Sequence, residues 1–113
     1  MGMEKFEVFR LKRQGRDTMN TIEYVLTCLS EECAEVQQNI SKALRFGLDD
    51  TWKDMPDNAT KIAIEYADLI AVAEMLEEMG VISAQNRTEM ISAKKAKVLK
   101  YMEYARKRGC LHD

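Results

Sequence analysis

The sequence predicts an all-α fold, a bundle of three long helices preceded by an N-terminal arm or short helix. Three observations carry this. Every apolar pattern recurs at three- and four-residue steps, and no strand-like alternation interrupts them. Only 5 Gly and 1 Pro are present, and Gly47, Pro56, Gly80 and Gly109 fall between or after the periodic stretches. The composition, 46% hydrophobic and 32% charged and rich in Ala, Leu, Met, Glu and Lys, is that of a helical globular protein.

Taken in order, residues 1–18 form the arm, with Lys5, Arg10, Lys12, Arg13 and Arg16 as a solvated cationic face and Phe6 and Phe9 among them. Residues 19–113 form the single domain that 113 residues allow. Its first helix runs from about Thr21 to Phe46. There Ile22, Val25, Leu26, Leu29, Cys33, Val36, Ile40, Ala43 and Leu44 make one apolar stripe, and Gly47 stops it. A polar loop follows from Leu48 to Asn58, holding Asp49, Asp50, Trp52, Asp54, Pro56 and Asp57. Asp57 or Asn58 caps the second helix, Ala59 to Gly80. After a linker from Val81 to Thr88, the last helix spans about Glu89 to Arg108 and ends at Gly109.

Glu65 is the most informative residue. Its neighbours on the helix face are Ile62, Leu69, Val72 and Leu76, all apolar, together with Asp68. A carboxylate there demands compensation, and a second one a turn away sharpens the demand. The first helix supplies the counterpart. Glu32 and Glu35 are also three residues apart, Glu32 flanks the apolar stripe, and Asn39 and Lys42 continue the same edge. Antiparallel packing brings Glu32, Glu35, Glu65 and Asp68 together as hard oxygen ligands suited to Mg²⁺, with Mn²⁺ as a substitute. A di-iron bundle needs Glu-x-x-His pairs, and the only histidine is His112. Glu-x-x-Glu alone is usually a solvated edge; its pairing with Glu65-x-x-Asp68 on an apolar face is what favours a metal.

Glu31-Glu32-x-x-Glu35 followed by Glu65-x-x-Asp68, with Leu29-Ser30 before and Leu69-Ile70 after, resembles the signature of the MazG-like all-α nucleoside triphosphate pyrophosphohydrolases. The resemblance covers about Asn20 to Arg106 and looks like the small single-domain phage and bacterial members. The stretch from Val36 to Ile64 is longer than the family's usual spacing, and the loop around Trp52 absorbs the excess.

The resemblance implies metal binding by Glu32, Glu35, Glu65 and Asp68, with hydrolysis of a nucleoside triphosphate between its α- and β-phosphates. The products are a nucleoside monophosphate and pyrophosphate. Glu32 or Glu35 serves as the base, taking a proton from water whose pKa the metal lowers. Glu31 points to another face. On the last helix Lys94, Lys97 and Tyr101 share a stripe with Tyr104, and family members carry basic residues in the matching helix. The two lysines are candidates for holding phosphates against a solvated-edge alternative, and Tyr101 is a further substrate candidate or a packing residue. Trp52, Phe46 and Tyr24 are candidates for stacking on a base. Gln38, Asn39 and Lys42 are candidates for bonding base or phosphate.

The formal charge of −2 argues against a nonspecific nucleic-acid binder using the basic arm. There is no apolar run of membrane-spanning length and no signal-peptide pattern, so the expected location is cytoplasmic. Cys28, Cys33 and Cys110 lack metal-finger spacing and read as buried, reduced thiols. Apolar stripes this wide on three helices imply a partner, and the family usually forms dimers or tetramers. The rival from another class is a non-catalytic helical interaction module whose carboxylates pair with lysines.

Overall fold

The computed structural model describes residues 18–113. Among these it is all-helical, with α1 (Thr21–Phe46), α2 (Asn58–Glu78) and α3 (Arg87–Lys107) and no strand. The helix boundaries lie within two residues of those expected from periodicity and stop signals. The expected N-terminal arm lies outside the described residues except for Thr18. The described chain divides into two compact units, one ending at Ile82 and the other comprising Ser83–Asp113.

In the first unit α1 begins at a capping box. The Asn20 side chain accepts from the Glu23 N–H at 2.8 Å, and the Glu23 carboxylate accepts from the Asn20 N–H at 3.0 Å. The helix ends at Gly47, whose φ of 103° is a conformation that side-chain-bearing residues avoid. The connection to α2 is pinned at its base. Ala59 N–H donates to Leu48 O at 2.9 Å, Asn58 N–H to Asp50 O at 3.1 Å, and Asn58 Nδ2 to Gly47 O at 2.9 Å. Asp57 is the cap of α2, accepting from the Thr60 N–H at 2.8 Å. Hydrogen bonds from the Thr60 side chain and backbone hold its carboxyl below the usual range. At the other end Val81 N–H reaches Leu76 O and Gly80 N–H reaches Glu77 O, both at 2.9 Å. With Gly80 at φ 75°, this is a Schellman closure.

The two helices pack as an antiparallel hairpin. Val25, Leu29, Glu32, Val36, Asn39 and Ala43 form the seam of α1, all buried or half-buried at alternating three- and four-residue steps. Ile62, Glu65, Leu69, Val72 and Leu76 answer from α2. This splits the stripe expected on α1. Ile22, Leu26, Cys33, Ile40 and Leu44 belong to a second face that is exposed. Periodicity marks an apolar sector, but one partner helix covers only one seam of it. For the same reason the expectation of buried thiols is corrected. Cys28 is half-buried, while Cys33 and Cys110 are exposed.

The second unit contains α3, which buries no residue. It starts from Asn86 in the left-handed region with no side-chain cap. Its last turn carries Arg106, which pairs with Glu103 at 3.6 Å and Asp113 at 3.2 Å. No helix of the described residues is long and apolar enough to cross a membrane.

Candidate functional site

The hairpin register determines which polar side chains meet. Going along α1 from Glu32 to Lys42, the facing residues on α2 run backwards from Asp68 to Lys61. Ligand oxygens of Glu32, Glu65 and Asp68 all lie within 4.8 Å of one another. Glu32 and Glu65 occupy seam positions and are half-buried, whereas Asp68 is exposed at the rim. The Glu32 Oε2 atom is buried without a hydrogen-bond partner among the described residues. A buried ionised oxygen in that state is costly and calls for a cation or a proton.

Glu65 reports the same stress. Partial loss of water around it is the first cause that raises its pKa, followed by the charges of Asp68, Glu32 and Glu35 and then a side-chain hydrogen bond with Glu32. Two ionised carboxylates cannot donate to each other. Either a proton on Glu65 or a cation between the carboxylates would relieve the cluster. The donor set, all carboxylate oxygens with one member open to solvent, fits a hard divalent cation that keeps some of its waters.

Glu35 lies outside the three-oxygen group but close enough for its charge to act on Glu65. Together they line a cavity of about 260 Å³ with Gln38, Asn39, Lys42, Lys61 and Ile64, closed on the loop side by Met55 and Pro56. Asn39 is only 7% exposed, at a seam position where an apolar residue is usual. A second cavity, of about 400 Å³, is lined by Lys42, Phe46, Asp50, Trp52, Asn58 and Lys61. Lys42 and Lys61 therefore line both cavities.

Of the residues singled out in the sequence, the first unit thus gathers Glu32, Glu65 and Asp68 in one cluster and Glu35, Gln38, Asn39, Lys42, Phe46 and Trp52 along the two cavities. Tyr24 and Glu31 are exposed and line neither. Lys94, Lys97 and Tyr101 belong to the second unit, where all three are exposed on α3. Lys94 lines a surface cavity there with Lys95, Val98 and Leu99.

Sequence reasoning missed Lys61 and Asp50. Lys61 stands one helical turn before Glu65 on the same face, a spacing that would have flagged it once the α2 face was chosen. Asp50 carried no signal beyond its place in a polar loop. Comparison with protein-family models, curated proteins and solved structures finds no match for the chain.

Proposed function

We propose that this protein is a Mg²⁺-dependent nucleoside triphosphate pyrophosphohydrolase, the activity its motif resemblance to the MazG-like enzymes implies. The observation that supports it most is the convergence of Glu32, Glu65 and Asp68 around a buried Glu32 oxygen that has no partner. Glu32, Glu65 and Asp68 hold the cation in this reading, with Mn²⁺ as a substitute. When bound, such an ion neutralises polyphosphate charge and lowers the pKa of water at the α-phosphate. Glu35 sits beside the cluster with one side on the cavity and takes the proton from the attacking water.

Lys42 and Lys61 flank the polyphosphate, and Asn39 offers its amide to a phosphate or sugar oxygen. Trp52 lies against the base. Lys94 and Lys97 enter the proposal as cations for the leaving pyrophosphate, and Tyr101 as a substrate contact, on the strength of the resemblance alone. The exposed second face of α1, with Ile22, Leu26, Ile40 and Leu44, supports association into a homodimer or homotetramer. The protein is proposed to act on free nucleotides in the cytoplasm, without nucleic acid.

The bond cleaved is the test. A panel of nucleoside triphosphates is incubated with Mg²⁺ in ¹⁸O-labelled water and the products are resolved. Attack at the α-phosphorus yields monophosphate and pyrophosphate in equal amounts, with the label in the monophosphate. Label in orthophosphate alone overturns the mechanism. Absence of both turnover and specific Mg²⁺ or Mn²⁺ binding favours the non-catalytic interaction module instead, which the exposed apolar face also suits.

A further inference from the structure

Trp52 and Phe46 are the two aromatic residues that line the second cavity, and both stand exposed, at 66% and 60%. Each has a cation over its ring, Lys53 at 5.3 Å from the Trp52 centroid and Arg45 at 5.0 Å from that of Phe46. They border the same cavity, whose volume of about 400 Å³ lies in the range of small-molecule sites, roughly 300–1,000 Å³. Exposed aromatic walls around a cavity of that size suit a flat aromatic ligand better than they suit water.

The polar lining narrows the ligand. The Asp50 carboxylate has no hydrogen-bond partner among the described residues, yet its backbone is held at both ends. Asp50 N–H donates to Gly47 O at 3.4 Å, and Asp50 O accepts from Asn58 N–H at 3.1 Å. Asn58 is 4% exposed, and its Nδ2 is committed to Gly47 O at 2.9 Å, which leaves Oδ1 to accept. The cavity thus offers acceptors from Asp50 and Asn58 and ammonium donors from Lys42 and Lys61. It shares both lysines with the carboxylate cavity, so a nucleotide whose base lies here runs its phosphates toward Glu35 and Glu65.

We propose that this cavity selects a guanine base, read by the Asp50 carboxylate between the aromatic walls of Trp52 and Phe46. Guanine alone among the common bases presents two adjacent N–H donors, N1–H and the 2-amino group, which match the two oxygens of one carboxylate. Its O6 beside them accepts from a lysine ammonium. Adenine and cytosine set a ring-nitrogen lone pair beside their amino group, facing the second carboxylate oxygen. Uracil and thymine flank a single N–H with two carbonyls, which a carboxylate repels. As a statement about substrate this rests on the pyrophosphohydrolase reading; as a statement about binding it stands apart from it.

Trp52 is the only tryptophan in the chain, so its single indole N–H resonance reports on this cavity alone. The intact protein is titrated, without metal, with the 5′-monophosphates of guanosine, adenosine, cytidine and uridine, whose phosphates are identical. Guanosine monophosphate is expected to shift the resonance saturably with a Kd about tenfold or more below that of uridine monophosphate. Asp50→Asn, whose backbone bonds are unchanged, is expected to erase that difference.

No saturable shift, equal Kd values for the two, or a preference that survives Asp50→Asn overturns the proposal. Turnover of GTP and UTP, measured in parallel, separates the two readings. Preference in binding with no hydrolysis of any triphosphate sinks the enzyme reading alone, and hydrolysis without any base preference sinks the guanine reading alone.

Discussion

Helices α2 and α3 are each 21 residues long, and they show two ways a helix can carry charge. α2 is capped by Asp57, joined to α1 by a pinned loop, and buries Leu76 and Asn58. α3 starts without a side-chain cap and buries nothing. On α2 a charged residue displaced an apolar one from the seam, so Glu65 demands a reason. On α3 a lysine is where lysines ordinarily are, and Lys94 or Lys97 needs none. Burial is what turns a residue's position into information about chemistry.

The comparison is broken most directly at Glu65. Glu65→Gln should lower turnover by about 100-fold or more, through loss of a metal ligand and of the charge that holds the site together. It should also raise the melting temperature in metal-free buffer, because it removes the carboxylate that its neighbours oppose. Wild-type turnover in the variant would show that Glu65 holds no metal. A lower metal-free melting temperature would mean that a cation of the protein holds it.

Packing provides the next test. Leu76→Ala, at the one large side chain with no exposed surface among the described residues, should cost about 2–5 kcal/mol by denaturant unfolding. A loss below about 1 kcal/mol would show that the seam is not the core.

The third prediction concerns pH. The raised pKa of Glu65 means the folded chain keeps a proton that the unfolded chain releases near 4.5. Metal-free stability should therefore fall as pH rises from about there through the raised value, then level off. Saturating Mg²⁺ should remove that fall, since the cation takes over from the proton. Asp57 works in the opposite sense, its contribution present above the ordinary 3.8 and lost as pH falls through its lowered value. Melting curves from pH 4 to 8, in chelator and in Mg²⁺, read the difference; parallel curves would remove the Glu65 proton from the account.

The smallest effects belong to α3. Lys94→Ala and Lys97→Ala should raise KM or lower kcat for triphosphates by several-fold, with stability unchanged within about 0.5 kcal/mol. Unaltered kinetics in both would return this stripe to an ordinary solvated edge.

The same contrast explains how much the sequence revealed. All three helices were legible because Gly47, Gly80 and Gly109 punctuate clear 3.6-residue patterns. Glu65 and Asp68 were legible because a carboxylate inside an apolar stripe breaks the pattern that surrounds it. Glu32 stood at the margin of its stripe, and only the packed seam shows that it shares a core position with Asn39. Ile40 and Leu44 read as core for the converse reason, since periodicity measures an apolar sector and not the width a neighbour covers. Lys61 carried a signal only through its spacing to Glu65, one turn on along the same face, and Asp50 was silent because a polar loop has no period from which to read what its side chains border.

The loop between α1 and α2 has a further consequence, for how such a protein can change. Its hydrogen bonds tie Gly47, Leu48 and Asp50 to Asn58 and Ala59, which closes the base and leaves residues 51–56 as a lobe. The base resists alteration. A Cβ at Gly47 would meet Asp49 Oδ1 at 3.0 Å, in a backbone conformation already unfavourable to any side chain. The lobe does not, because lengthening a loop whose ends are already held costs only about 0.6 kcal/mol per doubling. Insertions and substitutions around Trp52 can therefore accumulate without disturbing the seam that holds Glu32 and Glu65. On the proposed reading, Trp52 in the lobe is free to vary while Glu32 and Glu65 stay in register on the seam.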